Sequence, residues 1–179
     1  RALFIGEDVE RTTKYPDPQN PNSHQLPAKH RLHQQMHHVN GVVLWYAKAV
    51  VDNVGNYGTV LRDSYWKYPA LQPQMKFIDS KSPKKPRKLK AIWTSDGYML
   101  FWKAPKGKSW HDIATKYVVY RFNKDDRFDI NDASKIVAIT NRTFIKLPYD
   151  KGNARYTYAV TALDRMSNES KVRKKKGKL

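Results

Sequence analysis

From about residue 89 to residue 173 the apolar residues alternate with polar ones in short runs, and turn residues separate the runs. No stretch in that part carries a helical period. Such a chain has few ways to bury its apolar faces: the runs must pair as strands, and two sheets must close on each other. The expected strands are residues 89–93, 98–103, 114–123, 136–140, 143–147, 156–163 and a last one near 169–173. Asp96-Gly97 between the first two is a tight hairpin signal. The longest run centres on Tyr117-Val118-Val119-Tyr120-Arg121-Phe122.

Residues 1–81 read differently, as β-α-β-α. A first strand over residues 2–6 leads into a polar loop rich in Pro and Asn, residues 15–22. Ser23 is placed to cap a helix running to about Val39, with Leu32, Met36 and Val39 as its buried stripe. Asn40-Gly41 closes that helix. Residues 42–47 form a continuous apolar run, as in a strand covered on both faces. A loop rich in Gly and Asn, residues 52–58, precedes a second helix at about 59–67, and Pro69 and Pro73 break the pattern. Two β-α units leave strand edges that need neighbours, so this part reads as the end of a larger α/β domain. The fold class expected is thus α+β overall. The expected divisions are 1–81 for the α/β part, 82–88 for a linker, 89–174 for the sandwich and 175–179 for a basic tail.

The chain opens on Arg1 and runs straight into an apparent strand, which reads as a fragment. It has no cysteine, which excludes disulfides, thiolate metal sites and a cysteine nucleophile. Its longest apolar run, residues 42–47, is far too short to span a membrane. The 34 Lys and Arg exceed the 16 Asp and Glu by 18. Residues 1–81 carry 10 bases and 7 acids, and residues 82–179 carry 24 and 9. Eleven of those 24 lie in two acid-free runs, five in residues 84–90 and six in residues 171–178. The excess therefore reads as a solvated linker and a frayed tail rather than a nucleic-acid surface, with a polyanion contact as the alternative.

Two sets of residues resemble known families. Tyr117-Val118-Val119-Tyr120-Arg121 looks like a strand of bacterial fibronectin type III modules. The segment from Tyr156 through Val160 and Ala162 to Asp164 looks like their penultimate strand, and Ser167-Asn168-Glu169-Ser170 like the turn after it. The resemblance implies a core position for Trp102 and a tyrosine corner at Tyr156, its hydroxyl bonding nearby backbone. The first part is similar to the end of a (β/α)8 TIM barrel in the glycosyl hydrolase-like 10 group of family-ten-like glycoside hydrolases, common in Bacteroidetes. Phe4-Ile5-Gly6-Glu7-Asp8, Gln25-Leu26 with Lys29, the Gly41 to Lys48 segment and Leu61-Arg62-Asp63-Ser64-Tyr65-Trp66 carry that likeness. It implies barrel strands seven and eight followed by a fibronectin type III-like module. It also implies a carbohydrate substrate, the remainder of the barrel as partner, no cofactor, and a periplasmic, outer-membrane-anchored or secreted location.

A (β/α)8 barrel builds its active site at the carboxyl ends of its strands. Glu7 and Asp8 follow the first strand and are the candidate catalytic acids. Glycoside hydrolysis needs two carboxyl groups across the scissile bond. Neighbours on an extended segment point to opposite faces, so at most one of the two serves, with a partner from elsewhere. Trp45 and Tyr46 are candidate sugar-stacking residues, and Lys48 a candidate hydroxyl or acid contact. His30, His33 and His37 lie at i, i+3 and i+7. No carboxylate joins them and Gln34 stands where a zinc protease needs Glu, so they read as surface residues and no metal site is expected. Trp93, Trp110 and Phe128 of the sandwich read as core or interface packing, with a glycan-binding face as the alternative.

Overall fold

The computed structural model describes residues 2–107, 109–149, 151 and 155–178. It divides into two compact units, 1–67 and 68–179.

In the first unit β1 (Leu3–Asp8) leads into the short α1 (Val9–Lys14). A small antiparallel hairpin follows, β2 (Pro16–Asp17) with β3 (Asn20–His24), where a plain loop was expected. Arg31 holds it to the next helix with two 2.8 Å bonds to the Asp17 carboxylate. That helix, α2, spans Leu26–Gln35 and buries Leu26 and His30. The expected cap at Ser23 and the extension to Val39 are both corrected. Gln25 stands at the N-cap without a side-chain bond, and Pro27 in the first turn suits the helix start. Leu32 is 49% exposed, so the buried face lies on another phase of the helix. Val39 already belongs to β4 (Val39–Trp45), which pairs in parallel with β1 from Phe4↔Gly41 to Asp8↔Trp45. A Cβ at Gly41 would come within 2.7 Å of the half-exposed Phe4 ring, so a larger residue there would displace that ring. A short helix α3 (Ala47–Val51) stands where only the end of a strand was expected, and a 3₁₀ turn falls in the expected loop. The second helix lies about where it was expected, as α4 (Tyr57–Val60) running into a π-helical turn at Leu61–Tyr65. Left-handed Asn53, Gly55 and Asn56 separate α3 from α4. Val9, Leu26, Ala49, Tyr57 and Leu61 form one small core on the helix side of the sheet.

The second unit is a two-sheet sandwich. β5 (Arg87–Thr94), β6 (Gly97–Lys103) and β9 (Phe144–Lys146) make one sheet in the order β5-β6-β9. β7 (Lys116–Asn123), β8 (Ile136–Thr140), β10 (Arg155–Leu163) and β11 (Arg173–Lys178) make the other, in the order β11-β10-β7-β8. Each neighbouring pair is antiparallel. The three-plus-four arrangement matches the sandwich expected from the alternation. Leu89, Leu100, Trp102, Tyr117, Val119, Tyr158 and Val160 fill the space between the sheets, with Trp102 edge-on to Tyr117. The backbone that a corner tyrosine at Tyr156 would reach, 152–154, lies outside the described residues.

β7 is buried on both faces, which its four consecutive apolar residues require. Its outer face, with Val118, Tyr120 and Phe122, is covered by Leu71 and Ile130. Residues 68–81 therefore pack with the sandwich, and the break between units comes earlier than residue 81. Met75 donates its amide to the Met166 carbonyl at 2.9 Å, and Asn168 donates to the Asp79 carbonyl at 2.9 Å. Neither basic run is loose. Arg87 and Lys88 open β5, and the run expected as a frayed tail is β11, paired along its length with β10.

Candidate functional site

The carboxyl ends of β1 and β4 lie side by side, and alternation sorts their side chains onto two faces. Ile5 and Glu7 of β1 face the helices, as does Leu44 of β4, which packs on the small core. Phe4 and Asp8 of β1, with Val43 and Trp45 of β4, take the other face. Phe4, Val43 and Trp45 are 49%, 56% and 61% exposed. Glu7 and Asp8 thus separate as their adjacency required.

Glu7 is 3% exposed and enclosed by aromatic groups. Its Oε2 accepts a 3.1 Å hydrogen bond from the Tyr57 hydroxyl. Its Oε1 lies 3.5 Å from His33 Nε2. His30 stacks on Tyr65 with ring centres 4.1 Å apart and meets His33 edge-on. The surface reading of His30 and His33 is therefore corrected: both turn inward, because the buried stripe of α2 runs through Leu26, His30 and His33. Burial lowers the basicity of His30 and, with the adjacent His33, outweighs the pull of the Glu7 charge, so His30 is neutral near pH 7. Burial and the neighbouring carboxylate push the Tyr57 phenol well above its ordinary range, so it stays a donor. Glu7 Oε1, His30 Nε2 and His33 Nδ1 are buried without a hydrogen-bond partner. Among the described residues no group of three or more His, Asp or Glu side chains is arranged to hold a metal ion.

Asp8 caps α1, its carboxylate accepting the Arg11 amide at 3.0 Å. It lines a groove of about 460 Å3 with Arg11, Tyr15, Gln25 and Lys29. Lys29 reaches across to the buried Thr12 hydroxyl. In register beside Asp8 stands Trp45, its indole open to solvent. Tyr46, 49% exposed and joined to Trp45 by a cis peptide, begins α3. Lys48 turns along that helix to pair with Asp52. The structure thus brings Asp8 and Trp45 together, sets Glu7 behind the sheet and ties Lys48 to its own helix. Arg11 and Tyr15 were not singled out from the sequence. The signal available was a cap, Asp8-x-x-Arg11, immediately after a strand end. The groove offers one acceptor carboxylate, two cations and, beside it, a flat apolar ring, which suits a hydroxyl-rich ligand with a stacking face.

On the sandwich, Trp93 and Trp110 are each 57% exposed, which places them outside its core. Trp93 meets Tyr149 edge-on, and Trp110 lies beneath the Arg165 guanidinium. Phe128, at the margin of exposure, packs on Phe122 under the Lys174 ammonium.

No family model matches the chain. It is 29% identical over 174 residues to the glycosyl hydrolase YngK of Bacillus subtilis (strain 168), covering 97% of this chain and 34% of that protein. The chain spans about a third of that relative's length. Among solved structures it is similar to an FN3tt mutant, with TM-score 0.40, 18% identity, and coverage of 53% of this chain and 93% of that one. It is also similar to an Fn3-like protein from Clostridium thermocellum (0.36, 21%, 52% and 92%). A third is the spore cortex lytic enzyme SleM of Clostridium perfringens (0.38, 16%, 54% and 28%). The sandwich itself is read from the strand order and core of this chain.

Proposed function

We propose that residues 1–67 are the last two β-α units of a (β/α)8 glycoside hydrolase-like barrel, and that the protein they belong to cleaves glycosidic bonds. One observation carries this reading. Two parallel strands present Asp8 and Trp45 in register at their carboxyl ends, Asp8 at the start of α1 and Trp45 on the open face turned away from the helices. In a closed barrel that face lines the lumen, and the strand ends form the mouth of the active site. Asp8 is then the acid of this segment, Trp45 the platform for a sugar ring, and Tyr46 and Lys48 the rim. Glu7 serves from behind, holding Tyr57 and so the α4 turn against β1. A second carboxylate, on a strand outside this segment, completes the pair. The similarity to the Bacillus glycosyl hydrolase supports the substrate class. The sandwich acts as a non-catalytic module beside the barrel.

The test is release of reducing ends from polysaccharides by the whole protein. Asp8→Asn should lower kcat about 100-fold or more, as loss of a general acid or base does. Trp45→Ala should raise KM with a smaller effect on kcat. Full activity in Asp8→Asn, or no hydrolysis of any glycan by the parent, sinks the reading.

A further inference from the structure

The run of cations at residues 84–90 is held in place by its apolar neighbours. Pro83, Pro86 and Leu89 are buried, and the residues between them are exposed. A three-residue repeat is the period of a polyproline II segment. It presents Lys84, Lys85 and Arg87 outward from a backbone anchored to the sandwich. The repeat ends at Lys88, whose positive φ of 50° marks the irregular start of β5. Arg87 is further fixed by its Nε, which donates to the Ala104 carbonyl at 3.1 Å.

These three cations share a groove of about 660 Å3 with Lys106, Lys171 and one acid, Glu169. Among the described residues none of the five cations forms an ion pair. Glu169 is engaged elsewhere, its Oε1 accepting the hydroxyls of Tyr120 at 2.7 Å and Thr161 at 2.6 Å. The groove therefore sets five cations against one carboxylate and keeps a large positive excess. Ordered cations lose less freedom on binding than those of a loose linker. The groove lining holds no aromatic ring, so bases of a single strand would have nothing to stack on. Its ligand is an extended anion whose groups need only charge and hydrogen bonds.

We infer that this groove binds an acidic polysaccharide, a glycan chain bearing carboxylate or other anionic groups at intervals. The choice of glycan rests on the proposed glycan-cleaving role of the parent protein. The groove would keep the sandwich on the polymer while the barrel works elsewhere along it.

Affinity electrophoresis and titration calorimetry of the 179-residue chain, with carboxymethyl cellulose and neutral hydroxyethyl cellulose, test it. Binding to the charged polymer only, weakening as salt rises, is expected. The triple variant Lys84→Glu, Lys85→Glu, Arg87→Glu should bind at least about tenfold more weakly. The pair Lys106→Glu, Lys171→Glu should weaken it as well, which guards against a misfolded triple variant. Reversing Lys124, Arg127 and Lys146, exposed cations outside the groove, should change affinity less than about twofold. The inference is overturned by equal loss in that control, by equal binding of the neutral polymer, or by no binding. Tighter binding of a DNA oligonucleotide with the same variant pattern overturns it in favour of nucleic acid. Because binding is read without catalysis, a parent protein that cleaves no glycan leaves this result standing, and the reverse also holds.

Discussion

Each unit holds a carboxylate with a buried tyrosine, and the two pairs differ in how completely they are satisfied. In the sandwich, Glu169 Oε1 accepts both Tyr120 and Thr161. In the α/β unit, Glu7 accepts Tyr57 alone, and its second oxygen has no hydrogen bond. The same contrast runs through the packing. The sandwich closes a core between its sheets and covers the outer face of β7 as well. The α/β unit buries one side of a two-stranded sheet and leaves Phe4, Val43 and Trp45 open on the other. The sandwich pairs its buried carboxylate fully and leaves only neutral groups, the Trp102 Nε1 and the Tyr158 hydroxyl, without a partner. The α/β unit leaves an apolar face open on one side of its sheet and a buried carboxylate oxygen unpaired on the other.

The sharpest way to break this comparison is in the cores. Leu100→Ala, at a fully buried site between the sheets, should cost about 2–5 kcal/mol in urea unfolding. Val43→Ala, on the open face, should change stability by no more than about 0.5 kcal/mol. A large cost at Val43 would mean that its face is already covered within this chain.

The tyrosine pairs should separate by a smaller margin. Tyr57→Phe strips Glu7 of its hydrogen bond and should cost about 1–3 kcal/mol. Tyr120→Phe leaves Thr161 in place and should cost about 1 kcal/mol. Equal costs in the same unfolding experiment would erase the distinction drawn between the two carboxylates.

Acid gives the smallest contrast. His30 and His24 of the α/β unit are both less basic than usual because they are buried. The folded unit therefore holds fewer protons than the unfolded chain just below pH 6.5. The stability they contribute is full above that pH and is lost as pH falls through their lowered folded values. In the sandwich, Asp126 is held below the usual carboxylate range by a hydrogen bond from Lys135, and Asp132 by one from Ser134. Their contribution persists until pH falls below about 3.8. Hydrogen exchange from pH 7 to pH 5, read by peptide, should show loosening of residues 2–67 ahead of 87–163. Loosening in the opposite order would contradict the assignment of both sets.

The two units were unequally legible for the same reason that they pack differently. In the sandwich each strand is a short apolar or alternating run bounded by turn residues, so β6, β7, β8 and β10 fall close to their expected ranges. β11 was misplaced because an edge strand needs no apolar stripe, and five of its six residues are Lys or Arg. In the α/β unit the phase of α2 was misread because His30 and His33 occupy positions where apolar residues were sought. Polar residues are placed inward by partners such as Glu7 and Tyr65, distant in sequence and silent in any local pattern. α3 was missed because its five residues continue the apolar run of β4 without a change of period, whereas the Gly- and Asn-rich loop after it was legible from composition. For the candidate site, Asp8 and Trp45 were found because both end strands. Arg11 and Tyr15 were not, because their place in the groove depends on how α1 and the β2–β3 hairpin fold back.

β11 forms one border of its sheet, with a row of amide and carbonyl groups free to recruit another chain. Arg173, Lys174 and Lys175 make that border mutually repellent between molecules. A chain shortened before Arg173 would hand the border to β10 over Arg155–Val160, the stretch β11 pairs with, which ends in the buried Tyr158, Ala159 and Val160. Edge-to-edge association through that newly bared strand is the outcome such a truncation invites, and β11 stands over that one border of its sheet.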